Sequence, residues 1–437
     1  MFFDHWGKPL FTLLSSPFAQ FGFKGMLVFN ICLFALTAIF LIKITKKLSL
    51  KYAWLAILFC FVSPVYFRIV LSGLTEILFA TIIVVSLFLF LKRNFLIGSI
   101  ILSFSILARP ESYLVMPWFG LFLIYEKRAK LIPFFTTGFI IYSVVGFFST
   151  NDIFWIITKR PYSQGDSSYG SGSFFHFVMN SDVTLGKALT LFFIFGVLAL
   201  LFALFKNKLR VQKKEAHWLL LIFLPVISVV GAHSFLWWKG TQGSAGLLRV
   251  VAIVIPLASL IALYGINTGS VWFIDKFKFV HKKHFLFLFI VMGIFLTYRR
   301  VHKLEKDRRM IVTEKVLEKA AKWYNETNSS KKFYYIAPFF AYKAEIDPFN
   351  TNKGTFGEMK KFENKKTPSE NMKTGELLLW ESQFSGLEGG LSLFNLRNDK
   401  NLVQLISFTI EGEALAFFNG EKYKVSIFEK KNGPEHL

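Results

Sequence analysis

Arg109 and Glu111 stand two residues apart in ILARPESYL (106–114), with Pro110 between them, and no other residue from Asn94 to Tyr125 is charged. A carboxylate can take up a proton, and a guanidinium fork can hold a phosphate or a second carboxylate. Glu76 invites similar chemistry where SGLTEIL (72–78) opens an apolar run, and HSFLWWKGTQGSAGLLR (233–249) supplies His233, Lys239 and Arg249. Near the start of the chain, FDHWGKP (3–9) places Asp4 and His5 together, with Asp4 a candidate general base. Each group also has a plainer reading. Arg109 and Glu111 could be a salt-bridged corner fixing two helices. Glu76 could be a helix-dipole partner in a first turn, capped by Ser72 or Thr75. Trp237 and Trp238 fit an interfacial belt. That belt does not account for Arg249, which lies inside the next apolar run, so anion binding is the favoured reading there.

The elements that must position these groups are apolar throughout. The chain has 437 residues, is 53% hydrophobic and contains 54 phenylalanines. Runs such as 74–91 and 247–266 approach the roughly 20 helical residues that cross a bilayer core. Ten spans are expected, near 25–43, 52–70, 74–91, 95–108, 112–125, 131–149, 186–205, 216–236, 247–266 and 284–299. Alternate loops differ in basic residues: those at 43–51, 92–94, 126–130, 206–214 and 276–283 hold 18 Lys and Arg, against nine on the other side. By the positive-inside rule the first set is cytoplasmic. The Arg-Pro-Glu corner, Glu76, the 150–185 loop, the 237–246 loop and the N-terminal segment then lie outside. Six of the nine acidic residues before residue 299 fall on that outer side.

This distribution explains the net charge of +23 without nucleic acid. Cys32 and Cys60 sit inside apolar spans and read as small core residues, with no disulfide framework and no metal motif. Residues 1–24 lack the basic flank and apolar core of a cleavable signal peptide, and 9–25 read as an amphipathic stretch at the interface. Pro110 disfavours helix at Arg109, so the chain should break there. Non-helical backbone at membrane depth is tolerated where it lines a cavity or is buried in protein. The Gly/Ser-rich middle of 150–185 suggests a mobile lid or connector.

From about residue 300 the pattern changes. Residues 301–327 have a loose helical spacing, FYYIA (333–337), ELLLW (376–380) and LVQLISFTI (402–410) read as strands, and Asn419-Gly420 in ALAFFNGEKYKVSIF (414–428) signals a hairpin. The expected organisation is an all-α polytopic membrane domain over 1–299 and a small α/β domain over 300–437, outside the membrane. No Walker, His-Glu-x-x-His or Gly-x-Ser-x-Gly sequence is present.

The order and sidedness of SGLTE, ARPE and GSAGLLRVVAIVIPL resemble the GT-C superfamily of polytopic glycosyltransferases. The look is closest to bacterial relatives of the dolichyl-phosphate-mannose and polyprenyl-phosphate-sugar transferases, the family 39 type. HWGKPLFTLLSSPFAQFG (5–22) is similar to part of that group's first outer loop. The resemblance covers about residues 3–299. It implies a multi-pass protein of the inner membrane that takes a mannose-like hexose from a polyprenyl-phosphate donor. The acceptor would be a lipid, glycan or protein at the outer face. An acid of the first outer loop acts as base, or as ligand of a divalent cation in some members. Carried over, Asp4 is the nearest counterpart of that acid, with Glu111 the second candidate catalytic carboxylate. Arg249 and Lys239 would hold phosphate, while Glu76, Arg109 and His233 would line the donor or acceptor cavity. The group's first helix and its acidic pair have no counterpart ahead of Asp4. A carrier for lipid-linked saccharide, or an inactive truncated scaffold, are the alternative expectations.

Overall fold

The computed structural model describes residues 8–158, 167, 169–206, 213–277, 291, 295, 298, 299, 312–327, 331–347, 350–357, 359, 362–410 and 422–431. It divides into two compact units, Met1–Leu304 and Glu305–Leu437. In the first unit every expected span up to 247–266 is helical, whereas 284–299 falls almost wholly outside the described residues. Among the described residues, five helical segments are long and apolar enough to cross a membrane: Gly22–Lys47, Ala129–Thr150, Lys187–Phe205, Glu215–Lys239 and Leu248–Thr268. The helices Pro9–Ala19, Glu76–Leu91, Phe95–Leu107 and Ser112–Tyr125 are apolar but shorter. Glu76–Leu91 has 16 residues, and at the helical rise it spans about 24 Å.

Two of these elements form the centre. In the most apolar stretch of Leu248–Thr268, 89% is buried inside the protein, against 22–33% in the other four long segments. Glu76–Leu91 is buried on nearly all sides. Being apolar all round, both suit an interior position, and the less buried helices suit lipid. Close approach is made possible by glycine. A Cβ on Gly196 would come 2.0 Å from the Ile261 carbonyl oxygen, and one on Gly265 would come 2.5 Å from the Gly196 nitrogen. Backbones of Lys187–Lys206 and Ile255–Phe277 therefore touch where they cross, as small residues permit in membrane helices.

Several spans are broken rather than continuous. The expected 52–70 span is two helices, Trp54–Val62 and Pro64–Val70. Ser63 is extended because a proline follows it, and its Oγ accepts from the Tyr66 N–H (3.2 Å) and donates to the Thr184 carbonyl (2.6 Å). The helix Phe95–Ser103 tightens into a narrow turn over Phe104–Leu107 and stops, and the chain resumes helix at Ser112. The break expected at Arg109–Pro110 is thus present.

The second unit is a five-stranded sheet in the order β2-β1-β3-β5-β4. The strands are β1 (Phe333–Tyr335), β2 (Gly354–Phe356), β3 (Leu377–Glu381), β4 (Leu402–Thr409) and β5 (Lys424–Lys430). β1 runs parallel to β2 and β3, and β5 runs antiparallel to β3 and β4. The side chains alternate as strand geometry requires. Phe333, Tyr335, Leu377, Leu379, Val425 and Ile427 face the helices Val312–Thr327 and Pro338–Lys343. Tyr334, Leu378, Trp380 and Phe428 face a second core with Leu391 and Leu396. The expected strands at 333–337, 376–380 and 402–410 correspond to β1, β3 and β4. The run after Asn419-Gly420 becomes β5, while the turn itself and the run 414–418 lie outside the described residues. β2 was not expected.

Candidate active site

The corner carrying Arg109 is built by its own backbone. The Arg109 N–H donates to the Ser105 carbonyl (2.9 Å), and the Tyr113 N–H to the Pro110 carbonyl (3.1 Å). The Ser105 and Ser112 hydroxyls bond to each other across the break, both fully buried. The Arg109 side chain reaches two acids, Glu111 of its own corner and Glu76 of the neighbouring helix. Its Nε and Nη2 hold Glu111 as a fork, at 3.1 Å to Oε2 and 2.6 Å to Oε1. Its Nη1 lies 2.9 Å from Glu76 Oε1 and donates to the Thr75 hydroxyl at 3.3 Å. One guanidinium therefore bridges two carboxylates that are 1% and 5% exposed.

Two more groups join them. His233, from the helix Leu224–Lys239, places Nε2 3.4 Å from Glu111 Oε1. Arg249, in the tight turn Leu248–Val254, places Nε 3.8 Å from Glu76 Oε1 and is 45% exposed. The cluster draws on four parts of the chain and is formally neutral when His233 is: two carboxylates face two guanidiniums. Neutrality is what permits it, because a buried charge without a partner is expensive. Glu111 lies in the corner between two apolar helices. Burial opposes its charge, but the Arg109 guanidinium and His233 outweigh that and hold its carboxyl well below the usual carboxylate range.

The sequence-derived candidates sort unevenly. Glu76, Arg109, Glu111, His233 and Arg249 come together. Lys239 does not join them: it is exposed, with its ammonium 4.1 Å from the centroid of the Trp238 ring. Asp4 lies outside the described residues. Thr75 makes no side-chain cap to the helix it precedes, contrary to one of the expectations for it, and accepts from Arg109 instead. Asn30, outside the sequence-derived candidates, is fully buried and donates to the carbonyls of Ser72, Leu74 (3.1 Å) and Ile69 (3.5 Å). A lone carboxamide in the apolar run 25–43 was the available signal.

Beside the cluster, the described part of the 150–185 loop is fastened rather than loose. Ser167 donates from its N–H to the Gly240 carbonyl and from its Oγ to the Ser244 carbonyl, each at 2.6 Å. The Gly172 N–H donates to the Trp237 carbonyl (3.1 Å), where a Cβ would come 2.1 Å from Trp237 Nε1. His176 Nε2 bonds the Gly246 carbonyl (2.9 Å), and Phe177 lies 6.2 Å from the His233 ring. Among the described residues, no group of three or more His, Cys, Asp or Glu could hold a metal ion. The oxygens of Glu111 are both taken by Arg109.

No protein-family model matches the chain, and no curated protein matches it. Among solved structures it is similar to ArnT from Cupriavidus metallidurans, bound to undecaprenyl phosphate. That likeness has 10% identity and a TM-score of 0.47, over 96% of this chain and 87% of that one. At that TM-score the likeness decides neither fold nor function.

Proposed function

We propose that the chain is a membrane glycosyltransferase of the GT-C type, moving a sugar from a polyprenyl-phosphate donor to an acceptor at the outer face. The observation that carries this reading is the neutral two-acid, two-arginine cluster at the ends of apolar helices, with Arg249 half-exposed at its edge. A lipid phosphate held at such a place has its chain in the bilayer and its charge against a cation. The acceptor oxygen attacks the anomeric carbon, the bond from that carbon to the phosphate oxygen breaks, and the lipid phosphate leaves with the electron pair. The acceptor's proton passes to a carboxylate. Glu111 is a poor choice for that task, since Arg109 occupies both its oxygens and stabilises the charged form. Asp4 is assigned the proton, and Arg109 with Glu111 the shaping of the cavity. The second unit is placed outside the membrane in this reading.

Membranes containing the full chain, incubated with labelled polyprenyl-phosphate sugars, should transfer label to endogenous acceptor. Arg249→Ala should lower transfer about 100-fold, the usual scale for loss of a group that stabilises developing charge. Label that crosses proteoliposomes without being transferred would replace this reading with a carrier.

A further inference from the structure

The geometry points to Asn30 as a positioning residue that fixes Glu76 in the cluster, a role that rests on the glycosyl-transfer reading above. The helix Pro64–Val70 ends immediately before the 71–75 corner, so the carbonyls there lose their helical partners. In water such carbonyls would be solvated. Here the Asn30 carboxamide, fully buried on the helix Gly22–Lys47, spreads its two N–H groups over the carbonyls of Ile69, Ser72 and Leu74. Leu74 is two residues before Glu76. On the same helix, two turns further along, the Thr37 hydroxyl meets the Thr81 hydroxyl at 2.9 Å. Thr81 is five residues after Glu76. The start of the helix Glu76–Leu91 is therefore held on both sides of Glu76 by side chains of one neighbouring helix. Thr81 also bonds within its own helix, to the Ile77 carbonyl at 2.8 Å. Asn30 has no such local partner in its own helix among its described hydrogen bonds, so all of its described donor capacity is committed to the corner. Because Thr75 and Glu76 both receive Arg109 Nη1, movement of the corner would change the Glu76–Arg109 contact without removing either residue.

The test uses the full chain with Cys32→Ala and Cys60→Ala, and Gly73→Cys as reporter. A Cβ at Gly73 meets nothing closer than 3.7 Å, so the substitution brings no backbone or Cβ clash. Asn30→Leu and the milder Asn30→Ser should each raise the rate of maleimide labelling at position 73 severalfold. They should also lower kcat for sugar transfer by roughly 10- to 100-fold, the scale of a misplacement of about 1 Å, while KM for the donor stays near wild type. Asn30→Gln, which keeps the donors, should recover much of the lost rate. Unchanged labelling in both variants overturns the proposal, and so does raised labelling with full transfer. If Asn30→Leu fails to fold, Asn30→Ser decides alone. If wild type transfers no sugar with any donor, the transferase reading fails. The labelling arm then still decides whether Asn30 holds the corner.

Discussion

Each unit of the molecule buries acid, and the two units neutralise it differently. In the membrane unit Glu76 and Glu111 are matched by Arg109, Arg249 and His233. In the second unit Glu381 is as deeply buried, yet it is held by dipoles: the N–H groups of Gln383 (2.8 Å) and Ser385 (2.7 Å) and the Tyr423 hydroxyl (2.9 Å). Burial pushes the Glu381 carboxyl above its ordinary value despite those three donors, and pushes the Tyr423 hydroxyl up as well. Charged partners keep an acid ionised and available to electrostatics. Hydrogen bonds from backbone and hydroxyl mainly fix a turn, here the one over 382–388. The contrast separates acids balanced by cations from an acid held by dipoles.

Breaking the charged cluster should have the largest effect. Arg109→Met leaves two buried carboxylates without their shared cation and should cost about 3–5 kcal/mol, the range for breaking a buried pair. Thermal unfolding in detergent would read it. Adding Glu76→Gln and Glu111→Gln to that variant should return most of the loss, and a triple variant as unstable as the single would refute the charge argument. Glu381→Gln should cost less, about 1–3 kcal/mol, because one acceptor is exchanged for an amide that cannot satisfy every donor. Its effect should stay within the second unit, as read by hydrogen exchange along β3. The smallest effect concerns pH. With its folded-state value raised, Glu381 contributes stability that is present below the ordinary carboxylate value of 4.5 and is lost as pH rises through the raised value. Protection of β3, corrected for intrinsic exchange, should therefore fall over that window in wild type and stay flat in Glu381→Gln.

The same contrast explains what could be read from sequence. In the second unit β1, β3 and β4 are short apolar or aromatic runs set between polar stretches, which makes them legible along with the spaced apolar residues of the helix Val312–Thr327. β2 was missed because three residues around Gly354 carry no alternation. In the membrane unit lipid is as apolar as a neighbouring helix. The pattern gave the spans and, through Pro110, the corner, but it could not say that Glu76–Leu91 and Leu248–Thr268 are the enclosed pair. Charges were better guides than hydrophobicity. Glu76, Arg109, Glu111, His233 and Arg249, polar residues at the edges of apolar runs, are found in one cluster. Lys239, expected to hold phosphate with Arg249, instead stands at the helix end over Trp238. Asn30 is not legible in this way, because an uncharged amide inside a long apolar run carries no sign of its acceptors.

The uneven burial of the long helices has a consequence for how the chain is made. The ribosome delivers Leu248–Thr268 after every other described span of its unit, although it is the most enclosed of the long segments. Until it arrives, the earlier helices have lipid where their centre will be, and Glu76 lacks Arg249. Assembly of the bundle thus waits on a latecomer that must displace lipid to enter. A nascent chain cut short before residue 248 would hold its spans in the membrane without a finished interior, a hollow that quality-control proteases could recognise.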